Sequence, residues 1–129
     1  MRDQLLSEGR RTTEHRFATC VFTEPPLAQI GLTESRAQSL GLNVKTAVLP
    51  AVSIPKAKIL RQTDGLLKAV VDADSGEILG VTLFCAEAHE LINLIKMAMD
   101  NGIKADYLKN QIFTHPSMAE ALNDLFAAF

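Results

Sequence analysis

Apolar and polar residues alternate with a period of two along much of the chain, which predicts β-strands. The clearest pair is Leu66 to Asp72 and Ile78 to Phe84, separated by the turn residues Asp74, Ser75 and Gly76, and it predicts a β-hairpin. Three shorter segments of the same kind predict strands at Phe17 to Thr23, Ala28 to Leu32 and Val44 to Leu49. The sequence therefore predicts a mainly antiparallel sheet of about five strands.

The hydrophobic period changes to 3.6 residues after the hairpin, and this change predicts helices. Apolar residues that share one face of a predicted helix from Glu87 to Asn101 include Leu91, Ile92, Ile95 and Met99. Further helices are predicted at Glu34 to Leu40, Asp106 to Asn110 and Ser117 to Phe126, the first of them capped by Thr33. Because strands come first in bulk and helices follow, the predicted class is α+β, with helices packed on one face of the sheet.

Two segments fall outside these patterns. Met1 to Arg16 is rich in charged residues and is interpreted as a linker or the end of a preceding domain, so that the domain itself is expected over residues 17–129. The stretch from Pro50 to Pro55 and the residues after it are predicted to be irregular. The basic side chains there are expected to form a solvated loop rather than a phosphate site: Lys56, Lys58 and Arg61.

Charge and composition exclude several classes of function. The 13 Lys and Arg residues against 15 Asp and Glu give a net charge of -2, so no basic surface for nucleic acid or an anionic membrane is expected. No apolar run approaches the roughly 20 residues of a membrane-spanning helix, and the first four residues are too polar for a secretory signal. The two cysteines, Cys20 and Cys85, fit a reducing compartment, and we expect a cytoplasmic protein.

Several common site motifs are absent from the sequence. There is no Gly-x-Gly-x-x-Gly, no Walker loop and no Cys-x-x-Cys, so neither a self-contained nucleotide site nor a self-contained redox disulphide is expected. Cys85 and His89 have the spacing of two ligands on one helical face, but a zinc site needs three or four. We therefore interpret them as a core thiol and its helical neighbour, and expect no metal.

The segment from Thr114 to Glu120 holds the strongest candidates for chemistry. Pro116 disfavours a helical conformation for His115, which is therefore expected in a loop ahead of a helix, with Glu120 one turn into that helix. A carboxylate on one ring nitrogen would leave the other free to exchange protons near neutral pH, as in general acid–base catalysis. Ser117 and Glu120 also have the spacing of a capping box, and spacing alone favours this structural interpretation.

The residues from His115 to Leu122 resemble the C-terminal signature of the FAD-dependent pyridine nucleotide-disulphide oxidoreductases, the family of glutathione reductase, dihydrolipoamide dehydrogenase and mercuric reductase. The similarity extends in order from Phe17 to Phe126. It includes Pro26 to Glu34, Gly65 to Asp72 with Ile78 to Gly80, and Ala88 to Ile92. Two segments, Ile54 to Ala57 and Ile112 to Met118, are most similar to the bacterial reactive-chlorine-resistance flavoproteins.

The resemblance implies that this is the dimerisation domain of an oxidoreductase of cell redox homeostasis. FAD, NAD(P)H and a redox-active cysteine pair would then belong to upstream domains, and no cofactor and no activity are expected of this domain alone. It implies a homodimer in which His115 acts as acid–base catalyst beside the partner's redox disulphide while Glu120 orients it. It also implies an edge contact from His115 and Pro116 to the partner's FAD, and a cis peptide bond between these two residues.

The dimer contact is expected along the helix from Glu87 to Asn101, or along the last helix through Met118, Leu122 and Leu125. Two other functions stay open. One is a free-standing α+β ligand-binding or assembly module without catalysis, which a gene encoding only these residues would favour. The other is a cysteine hydrolase that uses Cys85 and His115. The electron acceptor and the choice between NADH and NADPH depend on residues outside this sequence.

Overall fold

A five-stranded antiparallel sheet organises residues 16–129, the part of the chain that the computed structural model describes. The strands are β1 (Thr19–Val21), β2 (Leu27–Gly31), β3 (Val44–Pro50), β4 (Leu66–Asp72) and β5 (Ile78–Phe84). Their order across the sheet is β1-β2-β5-β4-β3, and each neighbouring pair is antiparallel. This architecture confirms the predicted α+β class. Apart from Arg16, the predicted linker lies outside the described residues.

Five α-helices accompany the sheet within the described residues: α1 (Glu34–Ser39), α2 (Pro55–Leu60), α3 (Ala88–Asp100), α4 (Ala105–Asn110) and α5 (Ala121–Phe126). Single 3-10 turns lie at Ala51–Ser53 and Met118–Glu120. Thr33 caps α1 as predicted, since its hydroxyl accepts the N–H of Arg36 at 3.2 Å. None of the helices in residues 16–129 has the length and apolar character needed to cross a membrane.

Helix α2 replaces the irregular loop that the sequence predicts, and that prediction was wrong. Pro55 occupies the first turn, where a missing N–H removes no intrahelical hydrogen bond. Arg61 ends the helix with a φ of 56°. Only Ala57 is buried among its six residues, so the helix is too short, and too exposed, to leave an apolar period in the sequence.

The core lies between the sheet and the helices α3 and α5. Helix α3 packs over β2 and β5, and α5 packs over β3 and β4. The largest fully buried side chains are mainly aliphatic: Phe126, Ile30, Ile54, Leu67, Ile78, Leu83, Ile95, Leu122 and Leu125. Three of these belong to α5, so burial of apolar area fixes this helix, and the turn before it, firmly against the sheet.

Two glycines allow the backbones of β2 and β5 to approach closely. A Cβ atom on Gly31 would lie 2.2 Å from the carbonyl oxygen of Leu79, and one on Gly80 would lie 1.9 Å from that of Leu32. The N–H of Leu32 donates to the Leu79 carbonyl at 2.9 Å in the same place. A side chain at either Gly31 or Gly80 would therefore clash with the backbone of the neighbouring strand.

Candidate acid–base site

The loop between α4 and the turn Met118–Glu120 presents His115 to solvent. Phe113 packs against the core on one side of His115, and Met118 is buried on the other. The His115 side chain is itself 71% exposed. The peptide bond between His115 and Pro116 is cis, as the resemblance implied. The backbone is thus held on both sides while the imidazole remains accessible.

The imidazole of His115 contacts the carboxylate of Glu120. Nδ1 lies 3.0 Å from Oε1 and 3.1 Å from Oε2. An ionised carboxylate can only accept a hydrogen bond, so Nδ1 carries the proton in this contact. In the neutral ring Nε2 then has the free lone pair, and it makes no hydrogen bond with the residues that the structure describes. The geometry leaves Nε2 as the nitrogen that can exchange a proton with another molecule.

The carboxylate of Glu120 is held from a second side by the backbone of Ser117. The Ser117 N–H donates to Oε2 at 2.9 Å. This hydrogen bond keeps the pKa of Glu120 below its usual value, the hydrogen bond and charge of His115 act in the same direction, and partial desolvation opposes them. The carboxylate is therefore ionised at neutral pH and suited to holding the proton on Nδ1.

Ser117 and Glu120 also occupy the positions of a capping box. Of the two hydrogen bonds of a capping box, the one from the Ser117 N–H to Glu120 is well formed. The buried Ser117 hydroxyl finds no partner of good hydrogen-bond geometry among residues 16–129. The Glu120 side chain therefore accepts the capping hydrogen bond from Ser117 and also contacts the imidazole of His115.

The remaining sequence candidates lie elsewhere and are poorly suited to catalysis. Cys85 is fully buried, and burial raises the pKa of its thiol to about 12, so the cysteine hydrolase would have no thiolate nucleophile. Cys20 is half-buried on β1, and both cysteines are free thiols. His89 lies in the first turn of α3 with the ring of Phe22 at a centroid distance of 5.6 Å. Within the described range, no three His, Cys, Asp or Glu residues are grouped to hold a metal ion.

Sequence reasoning missed Asn123, on the first turn of α5. Its side-chain amide donates hydrogen bonds to backbone carbonyls at the end of α4 and at the start of the His115 loop. The available signal was weak: Asn123 and Asp124 are the two polar residues of a helix whose other four residues are all buried.

The exposed His115 and Pro116 suit an edge contact with a flavin that is held by another part of an assembly. They stand on a surface loop, and residues 16–129 include no glycine-rich phosphate loop at a helix start. His115 and Pro116 are therefore accessible to a group that another domain or chain holds.

Comparison with known proteins places this chain in a family. Residues 17–126 match the family described as the pyridine nucleotide-disulphide oxidoreductase dimerisation domain. The probable pyridine nucleotide-disulfide oxidoreductase RclA of Escherichia coli K12 is 46% identical over 129 residues, covering 98% of this chain and 29% of that protein. The dihydrolipoyl dehydrogenase of Zymomonas mobilis is 36% identical over 105 residues, covering 81% of this chain and 22% of that protein.

Comparison of the fold with solved structures leads to the same family. The solved structure of the HOCl-induced flavoprotein disulfide reductase RclA from Escherichia coli matches with a TM-score of 0.90 and 45% identity, over 98% of this chain and 29% of that chain. The chain thus spans less than a third of the length of these relatives. Since the match runs through the whole sheet and on through the His115 loop into α5, the chain belongs to the pyridine nucleotide-disulphide oxidoreductase dimerisation domain family.

Proposed function

We propose that this domain pairs two subunits of an FAD- and NAD(P)H-dependent oxidoreductase as a homodimer and supplies His115 and Glu120 to the redox-disulphide site of the partner subunit. The observation that carries the proposal is the contact of 3.0 Å between His115 Nδ1 and Glu120 Oε1 on an imidazole that is otherwise exposed. A relative named as a probable pyridine nucleotide-disulfide oxidoreductase and another named as a dihydrolipoyl dehydrogenase provide the context, and most of their length lies beyond this chain.

The chemistry assigned to His115 is proton transfer to and from sulfur. When a thiolate attacks a disulphide, a new S–S bond forms, the old one breaks, and the departing thiolate takes a proton. Nε2 of a protonated His115 gives that proton, and Nε2 of the neutral ring removes one from an incoming thiol. Glu120 keeps the proton on Nδ1 throughout, so a single nitrogen performs both transfers. FAD bound by the rest of the enzyme would supply the electron-transfer chemistry.

The dimer contact is assigned to α3. The alternative through Met118, Leu122 and Leu125 is less favoured, because all three side chains are buried in the domain's own core. On α3, by contrast, Leu94 is 40% exposed and Met97 is 65% exposed. These two lie one turn apart on the helix face that points away from the sheet, where a second copy can cover them.

The proposed setting is cytoplasmic, with no nucleic acid, membrane or metal as a partner. The domain by itself is expected to bind no FAD and to be inactive, because the proton relay has no disulphide and no electron donor to work on. The near-neutral charge balance of 13 basic and 15 acidic residues supports the exclusion of nucleic acid.

The test is stopped-flow kinetics of the full-length oxidoreductase that carries this domain, with the two half-reactions followed separately. His115→Ala should slow the thiol–disulphide half-reaction by about 10²–10⁴, the range for a positioned acid–base group. Flavin reduction by the nicotinamide should change far less, because it does not use this proton. His89→Ala, which alters the half-exposed histidine on α3, is the matched control. Unchanged rates in both half-reactions of His115→Ala would contradict the catalytic assignment.

A further inference from the structure

Asn123 connects two elements that flank His115. Its Nδ2 donates to the carbonyl oxygens of Leu108 at 2.9 Å, Lys109 at 3.3 Å and Gln111 at 2.7 Å. An amide NH2 has two hydrogens, so at least one of them is shared between two carbonyls. The donor comes from α5, and the acceptors lie 12 to 15 residues earlier in the chain.

These carbonyls need a partner because α4 ends there. The last carbonyls of a helix have no intrahelical donor, and Gln111 leaves the helix with an extended backbone of φ -67° and ψ 141°. Asn123 therefore satisfies the end of α4 and fixes the direction in which the chain leaves it. A buried or half-buried carbonyl without such a donor would be costly.

The His115 loop is consequently held at both ends by one structural unit. Asn123 holds it at the Gln111 carbonyl, and Glu120 holds it at the Ser117 N–H. Both residues belong to the continuous segment formed by the turn Met118–Glu120 and α5. The loop that carries His115 is thus attached to the same segment that carries Glu120.

We propose that Asn123 is a positioning residue of the acid–base site, which sets the placement of His115 against Glu120 by fixing the start of the loop. The inference rests on the proposed function of His115 and Glu120, and it adds a residue that touches neither the imidazole nor any reacting atom. Loss of the amide should let the loop move while α5 remains packed, because Leu122, Leu125 and Phe126 anchor that helix in the core.

The first test measures coupling in the 129-residue chain by NMR. The pKa of Glu120 is followed through its carboxyl carbon in the parent, in His115→Ala, in Asn123→Leu and in the double variant. Leucine is similar in size to asparagine and has no donor. In the parent, His115→Ala should raise the Glu120 pKa, because a hydrogen bond and a positive charge that lower it are lost. In the Asn123→Leu background, the same substitution should raise it by less than half as much.

Two controls separate positioning from general stability. Asn110→Ala removes an amide that donates within α4, to the carbonyl of Asp106 at 2.8 Å, and it should leave the coupling unchanged. Asn123→Gln keeps the donors on a longer side chain and should recover part of the coupling. Backbone order parameters of residues 112–115 should fall from about 0.85 to below about 0.6 in Asn123→Leu alone. Unchanged coupling and unchanged order in Asn123→Leu would overturn the proposal, whatever happens to the melting temperature.

The second test uses the full-length enzyme. Asn123→Leu should slow the thiol–disulphide half-reaction by roughly 10-fold to 100-fold, the cost of a misplaced catalytic group, and leave nicotinamide-dependent flavin reduction unchanged. Normal rates in both half-reactions, in an enzyme where His115→Ala is slow, would overturn the role of Asn123. Normal rates in His115→Ala itself would overturn the proposed function instead, and the NMR coupling would distinguish the two failures.

Discussion

Nδ1 of His115 lies nearly equidistant from the two carboxylate oxygens of Glu120, at 3.0 and 3.1 Å. Because both oxygens are within reach, a rotation of the carboxylate exchanges one acceptor for the other without losing the contact. The same carboxylate also accepts a backbone N–H from Ser117. Glu120 is therefore held by the turn that it caps, and it can hold the imidazole in one tautomer without relying on the imidazole for its own position.

The stability of the domain should depend on pH through Glu120. Its pKa in the folded state lies below the ordinary value of 4.5, so the unfolded state binds the proton more tightly. A carboxyl of this kind contributes stability above its ordinary pKa, and the contribution is lost as the pH falls through the folded pKa. The free energy of unfolding of the parent minus that of Glu120→Gln should therefore be largest at neutral pH and shrink in acid.

Urea unfolding at pH 7 and at several values below 4.5 checks this expectation. Asp72→Asn is a second case with the same sign, since N–H groups of Ser75 and Asp74 hold the pKa of Asp72 below its usual value. A difference between the parent and Glu120→Gln that stays constant across this pH range would contradict the argument.

Gly80 should not tolerate a side chain. The Cβ of Gly80→Ala would meet backbone atoms of Leu32 as close as 1.9 Å, and backbone cannot move aside as a flexible side chain can. We expect a loss of about 2 kcal/mol or more in the free energy of unfolding, at the upper part of the range for overpacking. Gly41→Ala is the control. Its Cβ would enter open space, so only the left-handed backbone is penalised, by about 1 kcal/mol.

The two cysteines should differ in their reactivity. Cys85 is buried with a pKa of about 12, so a thiol reagent at neutral pH should leave it unmodified in the folded protein. Cys20 is half-buried on the edge strand β1 and should react first. Reagent titration of the parent, Cys20→Ser and Cys85→Ser with and without denaturant provides the measurement. Fast labelling of native Cys20→Ser would show that Cys85 is more accessible than the structure implies.

Dimerisation should depend on the exposed face of α3. Met97→Lys places a charge on the proposed contact. It should raise the dimer dissociation constant measured by sedimentation equilibrium at least 10-fold, which is equivalent to about 1.4 kcal/mol. Ile59→Lys on α2 is the matched control, since Ile59 is 61% exposed and Met97 is 65% exposed. Equal association of Met97→Lys and the parent would remove α3 from the contact.

Local sequence patterns predict much of the fold and only part of the site. The hairpin of β4 and β5 and the helix α3 are long enough to show their periods. Glu120 follows His115 by only five residues, so the sequence suggests a contact between them, although spacing alone favours a capping box over an acid–base pair. Helix α2 buries a single residue, Ala57, and leaves no period. The partners of Asn123 lie far from it in the sequence, so its role depends on how α4 and α5 pack, which no local pattern encodes.

The hydrogen bonds that hold the two ends of the His115 loop also predict how related sequences can vary. The chain between Gln111 and Ser117 must cover a fixed distance, because Asn123 and Glu120 hold its ends to a single rigid segment. Insertions and deletions here should therefore be rare among functional homologues. Ile112 is 93% exposed and the domain's own core places no demand on it, so its identity is free to follow whatever surface the loop meets. In this loop the fold should constrain the length, and the surface that the loop meets should constrain the composition.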